Sequence, residues 1–185
     1  MKQVSRYHPL LVTLHWVVAL LILTMLAVGF FALEPTPNSD PRKLDVLQVH
    51  MAVGMLILAL MVIRFIVRMW TARPAHATTG YPLIDRIAPI SHYGFYVLVV
   101  LMVGTGYATA LIAGLPEIVF ARSGAPLPSS FTIYPTRVAH GYIAAVLIGL
   151  IALHVLAALY HQFVRKDGLF RRMFFGRRES NASAL

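Results

Sequence analysis

Eight histidines stand out in a chain of 185 residues that has no cysteine. Four of them, His15, His50, His140 and His154, lie inside long apolar stretches. An ionisable side chain there is expensive and marks a function. The missing thiols exclude disulfides, thiolate zinc, iron–sulfur clusters and covalently attached c-type haem. Depth follows from counting to the flanking charges. His15 comes nine residues after Arg6 and His154 eleven before Arg165, roughly 14 and 16 Å from one side at 1.5 Å per residue. His50 stands fourteen before Arg64 and His140 three after Arg137, both near the other side. The four thus form two pairs, His15 with His154 and His50 with His140, one per leaflet, and the last helix supplies a member to each. His140 and His154 are fourteen residues apart, nearly four whole turns, so they share a helix face. This pattern suits two noncovalent b-type haems stacked across a membrane, each with two axial imidazoles. Two imidazoles leave iron no open position, which favours electron transfer over oxygen binding. Small neighbours, Ala19, Gly54, Gly141, Ala157 and Ala158, leave room for a flat ring, although small residues also serve plain helix packing.

Other chemistry uses membrane histidines. One can simply bond to a neighbouring helix, but four at paired depths resist that reading. A zinc or proton transporter would add carboxylates, and none of the seven acidic residues lies within an apolar run. His92 and His161 mark the inner interface. His161 is seven residues beyond His154, two turns nearer the charged tail. Together they could bind a quinone, and either could equally anchor a helix end. His8 and His76 read as loop residues.

The elements that position these groups must be membrane helices. Hydrophobic residues make up 58% of the chain and charged residues 12%, against about 25% charge in soluble domains. Mean hydropathy is +0.72. An ordinary soluble enzyme, a coiled coil and a disordered chain are excluded. The expected fold is all-α: a four-helix transmembrane bundle in one membrane domain covering residues 1–185, with helices near 10–33, 46–65, 92–115 and 138–164. Each is long enough for a core of about 30 Å. The first run is too long for a signal-peptide core and no A-x-A-like site follows, so it is expected to be retained. Asp40-Pro41 reads as an N-cap and first helical position for the second helix. Residues 170–178 alternate aromatics with arginines and read as an interfacial basic segment, with 180–185 disordered.

Net charge is +9, which in a soluble protein would suggest nucleic acid. Its distribution suggests orientation instead. Twelve of the sixteen Lys and Arg residues lie on one side and four, Arg42, Lys43, Arg122 and Arg137, on the other. The positive-inside rule puts both termini in the cytoplasm. Arg137 and Arg122 are candidates for steering an anionic substrate or for pairing with a haem propionate. Glu34, Asp40, Asp45 and Glu117 leave the outer face formally neutral.

His15-Trp16, Val49-His50-Met51-Ala52-Val53-Gly54, Ala139-His140-Gly141, Leu153-His154, Tyr160-His161 and Lys166-Asp167 together resemble the bacterial cytochrome b561 family, over nearly the whole chain. The resemblance implies a diheme cytochrome of the bacterial inner membrane with the same four axial histidines. One compact branch takes electrons from periplasmic superoxide and passes them to ubiquinone. Other relatives are cytochrome b subunits of hydrogenases and formate dehydrogenases. Short termini and inner loops offer no docking domain, which favours the stand-alone oxidoreductase over the subunit.

Overall fold

A hydrocarbon core offers no water to backbone N–H and C=O groups, so a chain this apolar must satisfy them within helices. The structure, a computed structural model, describes residues 3–75, 82–177 and 179–181, with the backbone alone at residues 3, 82–88, 180 and 181. His76, Arg178 and residues 182–185 lie outside the described residues, as do the side chains of Asp85 and Arg86. Four helices are long and apolar enough to cross a membrane. They are α1 (Pro9–Val28), α2 (Arg42–Trp70), α3 (Pro82–Ile112) and α4 (Pro135–Leu159). Wider π-turns extend α1 over Gly29–Leu33 and α4 over Tyr160–Arg165. Large apolar side chains such as Leu20, Phe31, Val97, Leu153 and Leu156 are exposed along the helices. That surface suits lipid, not water.

The helices outrun the apolar runs that announce them. Asp40 accepts a hydrogen bond from the Arg42 amide (2.9 Å), so α2 starts at its charged cap and carries Asp45 in its first turn. The same guanidinium and amide of Arg42 hold the Asp40 carboxyl below the usual carboxylate range. At its other end α2 continues through Arg64 and Arg68, whose long stems can lie along apolar surface while the head groups reach polar partners. α3 begins at Pro82, ten residues before the expected start at His92, and runs through Pro89. A proline costs one backbone bond within a helix, and membrane helices tolerate it.

Contacts group the chain into two units. The first takes Met1–Val18, Leu60–Tyr96 and Ile148–Leu185. Leu11, Val12, Leu14 and Met61 are buried in it. Its tail is less helical than residues 170–178 alone suggest: only Phe170–Met173 forms a 3-10 turn. The reason is that donors from the N-terminal segment occupy the tail carbonyls. Arg6 Nη1 donates to the carbonyls of Arg171, Phe174 and Phe175 at 3.1–3.2 Å, Trp16 Nε1 to Met173 (2.9 Å), and the Tyr7 amide to Arg172 (3.3 Å). A two-residue antiparallel ladder, β1 (Gln3–Val4) with β2 (Ser180–Asn181), closes this arrangement. It orders two residues expected to be disordered.

The second unit takes Ala19–Ala59 and Val97–Leu147. Its core is Leu47, Ala110, Leu115, Ile118 and Val119, with Leu33, Leu44, Met51 and Phe131 packed against it. The loop after α3 contributes to this core through a π-turn, Pro116–Phe120. Lys43 is buried beneath it, with Nζ donating to the Thr36 carbonyl and lying 5.9 Å from the centre of the Phe131 ring.

Replacing Arg6 by Ala removes one cation that three tail carbonyls share. A cost of about 1 kcal/mol is expected, lowering the melting temperature in detergent by about 2–4 °C. Trypsin cleavage within 171–177 should accelerate at the same time. A tail cut at the wild-type rate would show that Arg6 does not hold it.

Candidate functional site

Each unit contains one of the imidazole pairs. In the first, His15 of α1 and His154 of α4 stand with ring centres 6.3 Å apart and planes inclined at 62°. In the second, His50 of α2 and His140 of α4 also stand 6.3 Å apart, inclined at 68°. A metal–imidazole bond is about 2.0–2.1 Å and a ring nitrogen lies about 1.1 Å from its ring centre, so imidazoles on opposite sides of one ion hold their centres roughly 6.3 Å apart. Both pairs meet that spacing. Among the described residues no group of three or more His, Asp or Glu side chains converges. A zinc centre asks for three or four protein ligands, whereas haem iron asks for two axial ones. The donor set fits haem.

Neighbours fix the rings. His140 Nδ1 lies 2.9 Å from the Met102 carbonyl and 3.4 Å from Thr105 Oγ1. A carbonyl only accepts, so Nδ1 carries the proton and Nε2 keeps the lone pair that a metal needs. A Cβ built at Gly106 would come within 3.1 Å of His140 Cε1 and 3.2 Å of Nδ1. Glycine is therefore what lets the ring pass α3. At Gly54 a Cβ would meet no atom within 4 Å. His50 Nδ1 is buried without a hydrogen-bond partner. In the first unit, His154 has the rings of His92 (5.8 Å) and Phe95 (5.4 Å) beside it, and Trp16 sits 5.2 Å from His15.

The remaining expected residues fall as follows. The structure sets His92 against His154, whereas His161 donates from Nδ1 to Asp167 Oδ2 at 2.6 Å. The π-turn Tyr160–Arg165 and a left-handed Lys166 (φ 52°) turn the chain so that Asp167 comes back to His161. Burial alone would push the Asp167 carboxyl up, but hydrogen bonds from His161 and the Leu169 amide outweigh it and hold it below the usual range. A depressed carboxylate keeps its contact above that range and loses it as acid carries the pH through the lowered value. Arg137 pairs with Glu34 (2.7 Å), and Arg122 with Asp45 (2.6 Å) and Gln48 (2.8 Å). Both outer candidates thus already hold a carboxylate.

Three residues of α3 escaped the sequence reading. Met102, Thr105 and Gly106 come from α3, and the Gly104-Thr105-Gly106 run was the available signal. Arg64 and Arg68, which with Arg73 read from the sequence as inner cations suited to a haem propionate or a lipid headgroup, reach α3: Arg64 donates to the Tyr96 hydroxyl (2.6 Å) and Arg68 lies over the Tyr93 ring at 5.9 Å. Asp167 has no sequence signal beyond its place after Lys166.

Comparison with known proteins adds a family match and two relatives. A family model described as prokaryotic cytochrome b561 matches residues 6–176. A Yersinia pestis protein named "Probable superoxide oxidase CybB" is 28% identical over 175 residues, covering 91% of this chain and 96% of that relative. "Cytochrome b561 homolog 2" of Escherichia coli (strain K12) is 25% identical over 172 residues, covering 91% of each.

Changing Gly106 to Ala should displace the His140 ring at a cost of about 1–3 kcal/mol. The expected readout is a perturbed or partly lost low-spin signal from one haem in the electron paramagnetic resonance spectrum of the purified protein, the other signal staying as it was. An unaltered spectrum would mean that the ring has room to shift without consequence.

Proposed function

Because this chain belongs to the prokaryotic cytochrome b561 family, whose members are membrane electron-transfer proteins that bind b-type haem, we propose that it holds two haems in a bacterial inner membrane and passes electrons from periplasmic superoxide to ubiquinone. The observation that carries this reading is the equal 6.3 Å spacing of two separate imidazole pairs. The printed name of the Yersinia relative supports superoxide as donor. The positive-inside count supports cytoplasmic termini. When bound, haem supplies a one-electron iron couple.

The chain's own residues do the rest. His15 with His154, and His50 with His140, would each hold one haem, and two imidazoles on one iron would keep small ligands off it. Met102 fixes the tautomer of His140. Arg137 and Arg122, each facing a carboxylate, give superoxide local guidance, not a long-range field. His161 presents its second ring nitrogen to an incoming quinone oxygen. Asp167 holds that ring in place. His92 lies one ring away from His154 and lines the approach to the same haem.

Purified wild-type protein should show a reduced α band accounting for about two haems per chain. Single changes of His15, His154, His50 or His140 to Ala should each lower that to about one, since each removes one axial ligand. A variant that keeps two low-spin haems breaks the proposed pairing. In rapid mixing, superoxide should reduce the wild-type haems without any co-purified subunit. His161→Gln should leave this reduction unchanged while slowing reoxidation by ubiquinone about tenfold or more. Reoxidation at the wild-type rate would place the quinone elsewhere.

A further inference from the structure

Two arginines of the first unit have buried nitrogens that bond to nothing. Arg64 and Arg68 stand one turn apart on α2, so their side chains leave the same helix face. Each covers a tyrosine of α3: Arg64 lies 5.5 Å from the Tyr96 ring centre and Arg68 5.9 Å from that of Tyr93. Arg64 Nη1 also donates to the Tyr96 hydroxyl. The Nε atoms of both are buried with no hydrogen-bond partner. Among the described residues no carboxylate pairs with either guanidinium. A guanidinium without a carboxylate partner is costly where it is part-buried, and its planar fork matches an oxyanion. Both arginines belong to the unit that holds His15 and His154.

The second unit is arranged differently. Its arginines, Arg42, Arg122 and Arg137, each hold an acidic side chain. Each of these charges faces an acidic side chain, whereas among the described residues those of Arg64 and Arg68 do not.

We propose that Arg64 and Arg68 form an oxyanion clamp for the propionate carboxylates of the haem held between His15 and His154. This rests on the haem reading above. The tyrosine rings hold the two guanidinium groups against α3, and the outer N–H groups of the forks give the carboxylates their donors. Two fixed cations beside this iron stabilise its reduced form more than the internally neutralised arginines of the second unit do for theirs. The His15–His154 haem is thereby the easier of the two to reduce, and electrons collect there. The same donors could instead seat the phosphate of an anionic phospholipid headgroup.

The test uses full-length holoprotein in nanodiscs of phosphatidylcholine with or without phosphatidylglycerol. Haem content, redox titration and retained lipid are measured for wild type, Arg64→Gln, Arg68→Gln, the double variant and the double Lys variant. In the wild type, the haem that His15→Ala removes should titrate at the higher potential. In the Gln variants that haem should lose several-fold in occupancy, or titrate at a lower potential where it stays, with the His50–His140 haem unaltered. The double Lys variant should recover the potential but not the full occupancy, since it keeps the charge and loses the fork. If the double Gln variant does not accumulate, Arg68→Gln decides alone. Unchanged haem content and potentials, with loss of bound phosphatidylglycerol, would overturn the proposal in favour of a headgroup. Equal loss of both haems would overturn it as a merely structural effect. A wild-type protein without the reduced α band would instead sink the haem reading itself.

Discussion

An imidazole placed in hydrocarbon pays for each ring nitrogen left without a partner, because water is not there to supply one. His140 meets this cost at one nitrogen by donating to the Met102 carbonyl, which leaves the other nitrogen with a bare lone pair. Much else follows from that need. α3 brings a glycine where the ring passes. α4 must carry both of its histidines on one face. Each histidine pair must bring two helices to a fixed separation. A ligand that takes a lone pair from each side turns an energetic liability into the reason the helices stay together, and the protein is then as much folded around its cofactor as loaded with it.

The histidines were legible in the sequence because a membrane helix converts residue count into depth. Nine residues from Arg6 and eleven from Arg165 are distances, not only intervals, and His15 and His154 duly face each other. Nothing comparable announced the role of α3. It supplies Met102, Thr105 and Gly106 through a carbonyl, a hydroxyl and an absent side chain, none of which has a signature at sequence level. The boundaries were legible only as limits on the apolar run. Arg64 and Arg68 read as the end of a span, yet the helix carries them inward and stacks them on tyrosines. The tail shows the same limit from the other direction. Its own residues favour a helix, but whether its carbonyls bond to its own amides or to Arg6 and Trp16 depends on segments more than 150 residues away.

The two units also treat charge in opposite ways, and this bears on function more than net charge does. In the second unit every described arginine faces an acidic side chain. In the first, the Arg64 and Arg68 guanidinium groups face aromatic rings and a phenol. A net charge of +9 therefore says little until it is known which cations are already matched. The matched ones hold loops and helix starts in place, while the unmatched ones remain free to act on something else.

α4 gives one histidine to each pair, and it is the last of the four helices to leave the ribosome. A nascent chain with three helices in the bilayer has His15 and His50 but nothing to set opposite either of them. Neither pair exists until α4 has been made, and the contacts of the tail with Arg6 and Trp16 form later still. A partly made chain thus offers no complete ligand set in which a redox-active group could lodge prematurely. On the proposed ligation, cofactor capture would wait for the arrival of one helix that completes both sites together.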